Sequence, residues 1–380
     1  MAVTARHSPR RQEPGLDRNL AWIGGPDCRC GFESAHLQTD DDYLRRRFKA
    51  ARWRHPACFI VIGFKAIAST LQIDGGSPLR IGTRGSRLAL AQAHELRQRL
   101  ATAHSLDPAY FEIEIVRTTG DAIQDRPLSE AGGKGLFTKE LDTALIEGRI
   151  DIAVHSAKDL PTILPGEIAI IGYLPREDIR DAWISATAAD PRALPHGAVV
   201  GTASLRRAAM VKRLRPDLAI TLLRGNVETR LDKVLRGEVG ATLLALAGLK
   251  RLGLADKATA ILDPEEFVPA VGQGAIAITG RHGDARMGAF LAPILDAPTG
   301  LALDCERALL RVLDGSCRTP IGGSARLDGT ELALHAIILR PDGSAFFEAR
   351  LRGPQSEAER IGETVARTLL AQAPKDFLEA

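Results

Sequence analysis

The chain is poor in aromatic residues, which make up 4% of its 380 positions. Stacking platforms for single-stranded nucleic acid need aromatic side chains in numbers, so that class of binding is disfavoured. There is no basic stripe, and the formal net charge is only +3, too small for strong steering toward nucleic acid or a membrane surface. Cysteine is scarce and odd in number: Cys28, Cys30, Cys58, Cys305 and Cys317. That set argues against a disulfide framework. The Cys28-Arg-Cys30 spacing is wrong for a common zinc knuckle. Long apolar runs are missing too. The best candidate, "CFIVIGF" at 58–64, stops at Lys65 and falls far short of the ~20 residues that cross a bilayer. It also comes too late to be a secretory h-region. A cytoplasmic protein is expected.

What is present is an ordinary globular composition, 45% hydrophobic and 26% charged, in a chain long enough for two or three domains. Residues 1–77 stand apart. They hold "RHSPRRQ" and "DDDYLRRRFKAARWRH" with no sustained period. Such a segment reads as a poorly ordered extension or as sequence ahead of a later start near "LRIGTRGS". An Arg-rich transit peptide is a third reading, weakened by Asp40, Asp41 and Asp42, since transit peptides are acid-poor.

From residue 79 strand and helix patterns alternate. "RIGT" and the alternating "FEIEIV" read as strands. "SRLALAQAHELRQRLATAH" carries Leu88, Ala91, Leu96 and Leu100 at helical spacing, and "GLFTKELDTALIEGR" places its apolar residues on one helical face. Alternation of this kind predicts an α/β protein with parallel sheets covered by helices on both faces. Past about 297 the style changes. A helix "LALDCERALLRVL" and a cysteine loop precede strands "SARLD", "ELALHAIIL" and "SAFFEARLRG", joined by Asp-Gly turns at 328–329 and 342–343. This predicts a separate α+β unit.

Ligands in α/β folds sit beyond the carboxyl ends of strands. The unusual polar residues cluster there: Arg84 and Ser86 after "RIGT"; Ser156, Lys158 and Asp159 after "DIAVH"; Thr202, Ser204, Arg206 and Arg207 after "VVG"; Arg224 after "ITLL", with Arg230 and Arg251 further on. Guanidinium forks and a helix N-terminus at Ser204 suit a polyanionic small molecule, against the plain alternative of surface ion pairs. "EAGGKGLFTKE" lacks phosphate-loop spacing, so its glycines read as a loop carrying Lys134 toward an anion. His155 reads as a satisfied structural histidine rather than a base. Cys317, flanked by Gly315, Ser316, Arg318 and Pro320, is either an inert thiol or a reactive one.

Eight collinear segments resemble the porphobilinogen deaminase (hydroxymethylbilane synthase) family: "RIGTRGSRLALAQA", "GGKGLFTKE", "DIAVHSAKDLP", "GTASLRR", "LRGNVETRLDK", "LAGLKRLGL", "PAVGQGA" and "GSCRTPIG". The resemblance runs from about Leu79 to the C-terminus. It implies two domains similar to type II periplasmic binding proteins around a cleft, at 78–177 plus 273–293 and at 178–272, then a C-terminal domain at 296–380. It implies a transferase that condenses four porphobilinogen molecules head to tail with loss of ammonia. The product would be hydroxymethylbilane, built on a dipyrromethane cofactor joined to Cys317 through a thioether.

By the same resemblance Asp159 is the catalytic carboxylate that steadies the cationic azafulvene. Lys158, Ser156, Thr202, Ser204, Arg206, Arg207 and Arg224 would contact the cofactor. Arg84, Ser86, Lys134, Arg230, Arg251 and Gln273 would contact substrate, Gln273 also being a hinge candidate. No metal, nucleic acid or membrane partner is implied, and a monomer is expected. Three positions depart from the family pattern: Glu130 where a lysine can stand, Ala203 in place of a serine, and Ser316 in place of a glycine. The competing class is a solute-binding module. That would need no reactive cysteine, and no export signal is evident ahead of the fold.

Overall fold

A computed structural model describes residues 78–122, 135–313 and 320–378. All of them belong to one compact unit, Lys65–Ala380. The readings of residues 1–77, Glu130, Lys134, Ser316 and Cys317 therefore lie outside the described residues.

The strands are, in chain order, β1 (Leu79–Thr83), β2 (Phe111–Ile115), β3 (Ile152–Ser156), β4 (Ile168–Tyr173), β5 (Asp181–Ile184), β6 (Val199–Gly201), β7 (Ala219–Thr221), β8 (Ala241–Ala245), β9 (Ala260–Ile261), β10 (Ile276–Arg281), β11 (Ile321–Asp328), β12 (Glu331–Leu339) and β13 (Phe346–Pro354). Among the described residues they form two five-stranded sheets, ordered β2-β1-β3-β10-β4 and β7-β6-β8-β5-β9, and one three-stranded sheet, β11-β12-β13.

The two larger sheets share one topology. In the first, β1 runs parallel to β2 and β3, while β10 is antiparallel to both β3 and β4. In the second, β6 runs parallel to β7 and β8, while β5 is antiparallel to both β8 and β9. The fourth strand of each sheet is the first one laid down after the chain crosses from the other lobe. Arriving from that side, it enters against the direction of its neighbours. All-parallel sheets are thus not what forms. Each lobe is a mixed sheet, because its strands are not all delivered by local strand–helix–strand crossovers. The result is two lobes of one topology, as the resemblance to type II periplasmic binding proteins implied.

Helix Arg87–His104 begins where Ser86 caps it, its hydroxyl accepting from the Ala89 N–H. It buries Ala89, Gln92, Ala93, Leu96 and Leu100. Leu96 and Leu100 are on the expected face, whereas Leu88 and Ala91 are only half-buried, so the stripe runs through Ala89 and Ala93 instead. Helix Lys139–Ile146 buries Leu141, Ala144 and Leu145, as the spacing predicts, together with Asp142. Leu136 and Phe137 precede that helix, in a turn.

The C-terminal hairpins match the sequence reading. β11 pairs with β12 around Gly329, and β12 with β13 around Gly343, both glycines having positive φ. The unit is less separate than expected. One face of β12, with Leu334, Ala336 and Ile338, packs with helices Ala297–Leu313 and Ala358–Gln372 in a cluster that also holds Ala157, Leu160 and Ala275. Ile337 and Leu339, on the other face, join Trp183, Met210 and Phe267 of the second lobe. Alternating side chains of one strand thus touch both lobes. Among the described residues no helix is long and apolar enough to cross a membrane, and no cluster of His, Cys, Asp and Glu could hold a metal ion.

Candidate active site

β3 delivers the chain into a short turn, Ala157–Asp159, which lifts Lys158 and Asp159 clear of the sheet. The turn is pinned from behind: Ala157 N–H donates to the Ala275 carbonyl at 3.0 Å. Gly272 has φ +75°, and a Cβ there would sit 2.9 Å from the Lys158 nitrogen. The returning segment can approach the turn this closely only because residue 272 has no side chain.

Arg84 and Asp159 face one another, with Nη1 to Oδ2 at 3.7 Å. Asp121 grips Arg84 from the other side, accepting from Nε at 3.1 Å and, through its other oxygen, from Nη2. The ring of Phe137 lies 4.0 Å from the guanidinium carbon. A cavity of about 60 Å³ opens beside this group, lined by Arg84, Ser86, Gln92, Phe137, Ser156 and Asp159 among others. Within it Gln92 donates to the Ser156 hydroxyl at 2.9 Å. His155 is buried and its Nε2 meets the Thr279 hydroxyl at 3.0 Å. Burial, reinforced by the field of Arg84, pushes its pKa down to about 4, so it is neutral at physiological pH and suits a structural role.

On the second lobe, Thr202 and Ser204 form the entry to helix Leu205–Leu214. The Thr202 hydroxyl accepts from Ser204 N–H and the Ser204 hydroxyl from Arg207 N–H. Arg206 and Arg207 follow, both buried, and both turn inward. Arg206 binds Asp181 at 2.8 Å and the Val268 carbonyl at 2.7 Å; Arg207 binds Asp181 at 2.7 Å and the Leu243 carbonyl at 2.9 Å. Gln273, also buried, donates to Asp181 at 3.0 Å and accepts from the Lys158 ammonium at 3.3 Å. Burial alone would raise the Asp181 pKa, but the two guanidiniums outweigh it and hold the carboxyl well below the usual range.

Arg251 bridges the lobes, from helix Leu246–Arg251 to Glu95 at 3.4 Å and the Gly274 carbonyl at 3.0 Å. Arg206, Arg207, Arg251 and Gln273 are thus engaged with protein groups around the crossing segments.

Arg84, Lys158 and Arg230 lie close enough to Asp159 to feel its charge, and Arg224 lies near Arg230. Arg230 donates to the Gly225 carbonyl at 2.9 Å. Its pKa is lowered to about 10, by burial first and then by Arg207 and Arg224. Lys158 is exposed as a residue, and its ammonium donates to Gln273 at 3.3 Å. Burial, with Arg207 close by, lowers it to about 8. Burial is the larger cause in both, and neighbouring cations add to it.

Asp121, Phe137, Gln92 and Asp181 escaped the sequence reading. Asp181 left one trace, an acid heading "DAWI", a strand whose four residues are all buried.

The fold and site define a two-lobed α/β protein with cations gathered beside Asp159. Residues 79–289 match the family model "Porphobilinogen deaminase, dipyromethane cofactor binding domain", and 301–371 match "Porphobilinogen deaminase, C-terminal domain". A porphobilinogen deaminase of Nitrobacter hamburgensis is 57% identical over 297 residues, covering 78% of this chain and 94% of the relative. One from Paracoccus denitrificans is 52% identical over 306 residues, covering 80% and 98%. Among solved structures, protein PG110 from Staphylococcus aureus superposes with a TM-score of 0.37 at 13% identity, over 76% of this chain and 100% of its own. A periplasmic substrate-binding protein from Coxiella burnetii gives 0.37 at 14% identity, over 59% and 94%. The chain belongs to the porphobilinogen deaminase family, transferases of tetrapyrrole biosynthesis that work with a dipyrromethane cofactor.

Proposed function

We propose that the cleft carries out the head-to-tail condensation of four porphobilinogen molecules to hydroxymethylbilane, with Asp159 as its catalytic carboxylate and Cys317 as the thioether anchor of the cofactor. The observation that carries this reading is the grouping of Arg84, Lys158 and Arg230 around Asp159, with Arg224 beside Arg230. Each pyrrole brings two carboxylates, and the cations supply their counter-charge. Ser86, Ser156, Thr202, Ser204 and Lys134 would add contacts to the same groups. Arg206, Arg207, Arg251 and Gln273 would shape the site from the crossing segments.

The dipyrromethane supplies the pyrrole carbon onto which the chain is built. The protein's own part is positioning and electrostatics. Asp159 accepts from pyrrole N–H groups and stabilises the positive charge that develops as ammonia leaves, an effect worth most where water is excluded. Helix Ala297–Leu313 and β11 flank residues 314–319. Leu313 and Ile321, at its two ends, belong to the apolar cluster that contains Ala157 and Leu160 of the Asp159 turn. An anchor at Cys317 would be tied at both ends to the wall that presents Asp159. We place the domain limits near 78–177 plus 273–293, 178–272 and 296–380, and the protein in the cytoplasm as a monomer that uses neither nucleic acid nor a membrane as partner.

The test is intact mass of the purified protein. A gain equal to a dipyrromethane, lost in Cys317→Ser, supports the reading, and a folded but unmodified wild type sinks it. Asp159→Asn should keep the fold and the cofactor yet lose roughly 10²–10³-fold in kcat, the scale of removing one preorganised electrostatic partner. Turnover close to wild type would remove Asp159 from its role.

A further inference from the structure

Arg84 stands between two carboxylates and is not shared equally. Asp121 takes its Nε and Nη2 side, while the Nη1 edge stops 3.7 Å short of Asp159. That gap is too long for a hydrogen bond, and roughly 0.8 Å of movement would close it. Released from Asp121, the guanidinium fork would be drawn onto Asp159 as a charge-assisted pair.

Asp121 is itself held. Its Oδ2 accepts from the Thr118 hydroxyl at 2.7 Å, and Thr118 is buried. The turn that carries it is fitted around Phe137, since Gly120 N–H donates to the Leu136 carbonyl at 2.8 Å and a Cβ on Gly120 would lie 2.4 Å from the Phe137 ring. That same ring stacks under Arg84. These contacts hold the segment where Asp121 engages the Nε and Nη2 side of Arg84.

We infer that Asp121 is a positioning residue: it holds Arg84 off Asp159, so that the Asp159 carboxylate stays available to the reacting pyrrole while Arg84 still faces the ligand's acid groups. The inference rests on the catalytic role proposed above for Asp159.

Asp121→Asn keeps the shape and loses the charge that restrains Arg84. Its kcat should fall roughly ten- to hundredfold, the scale of a hydrogen bond to a charged group, with KM moving far less. In an Arg84→Gln background, adding Asp121→Asn should lower kcat little further, because nothing is left to restrain. Should Asp121→Asn prove unstable to heating, Thr118→Val removes one of its holds without touching its charge and reads the same split at smaller amplitude. Unchanged kcat in Asp121→Asn, a change confined to KM, or an equal loss with and without Arg84 would each overturn the inference. If wild-type enzyme carries no dipyrromethane or does not turn over porphobilinogen, the functional reading itself fails. Normal Asp121→Asn turnover beside an active wild type removes the positioning role alone.

Discussion

Glu306 grips Arg176 with both oxygens, at 2.6 Å and 3.1 Å. The carboxylate is wholly buried and also accepts from the backbone N–H of Gly272 and of Ala325, each at 2.7 Å. Arg176 in turn donates to the Gln273 carbonyl at 2.9 Å. One ion pair therefore joins both crossing segments between the lobes to the C-terminal domain. Removing one partner of a buried pair leaves the other charge stranded. Glu306→Gln should cost about 3–5 kcal/mol of stability, visible as a lower urea midpoint. A change below about 1 kcal/mol, the scale of an exposed pair, would contradict this account.

Helices Ala297–Leu313 and Ala358–Gln372 cross where Gly362 meets Cys305. A Cβ on Gly362 would lie 2.1 Å from the Cys305 carbonyl oxygen and 2.8 Å from the Ala308 Cβ. Both are rigid parts of a buried helix. Gly362→Ala should therefore destabilise by about 1–3 kcal/mol through overpacking, despite alanine's better helix propensity. Thermal unfolding of the pair of proteins decides it, and an unchanged or raised Tm would show that the helices can part cheaply.

Lys158 has its pKa lowered to about 8. Its charge is present below that value and lost as pH rises through it. Its help in binding carboxylates should follow the same course, so KM should rise above about pH 8. In Lys158→Arg the cation persists to far higher pH, and the rise should vanish even if overall turnover is lower. Equal KM profiles for the two proteins would take Lys158 out of substrate binding.

Much of the scaffold could be read from local pattern. The C-terminal strands were legible because Asp-Gly turns and period-two alternation act within a few residues. The helix after Ser86 was legible because its cap and its spacing coincide, though small alanines rather than Leu88 carry part of the buried face. The antiparallel fourth strand of each lobe was not legible, since β5 and β10 gain their direction from where the chain arrives. The site divides in the same way. Arg84, Lys158 and Asp159 could be named because strand ends place them. That Arg206 and Arg207 turn inward depends on Asp181, some 25 residues earlier, and nothing in "SLRR" specifies that partner. Asp121 was missed because it reads as a loop acid until its distant pairing with Arg84 is seen.

The exchanged strands impose an order on biosynthesis. Among the described residues β4 pairs only with β10, and β10 cannot leave the ribosome until the whole second lobe has been made. For that interval the first lobe holds β3 and β4 with the place between them vacant, and two strand edges are open to the wrong partner. The second lobe waits less, because β5 is already made when β8 and β9 arrive to flank it. The newborn chain is therefore most vulnerable in the half that already carries Asp159, and it becomes safe only when residues 276–281 close the gap.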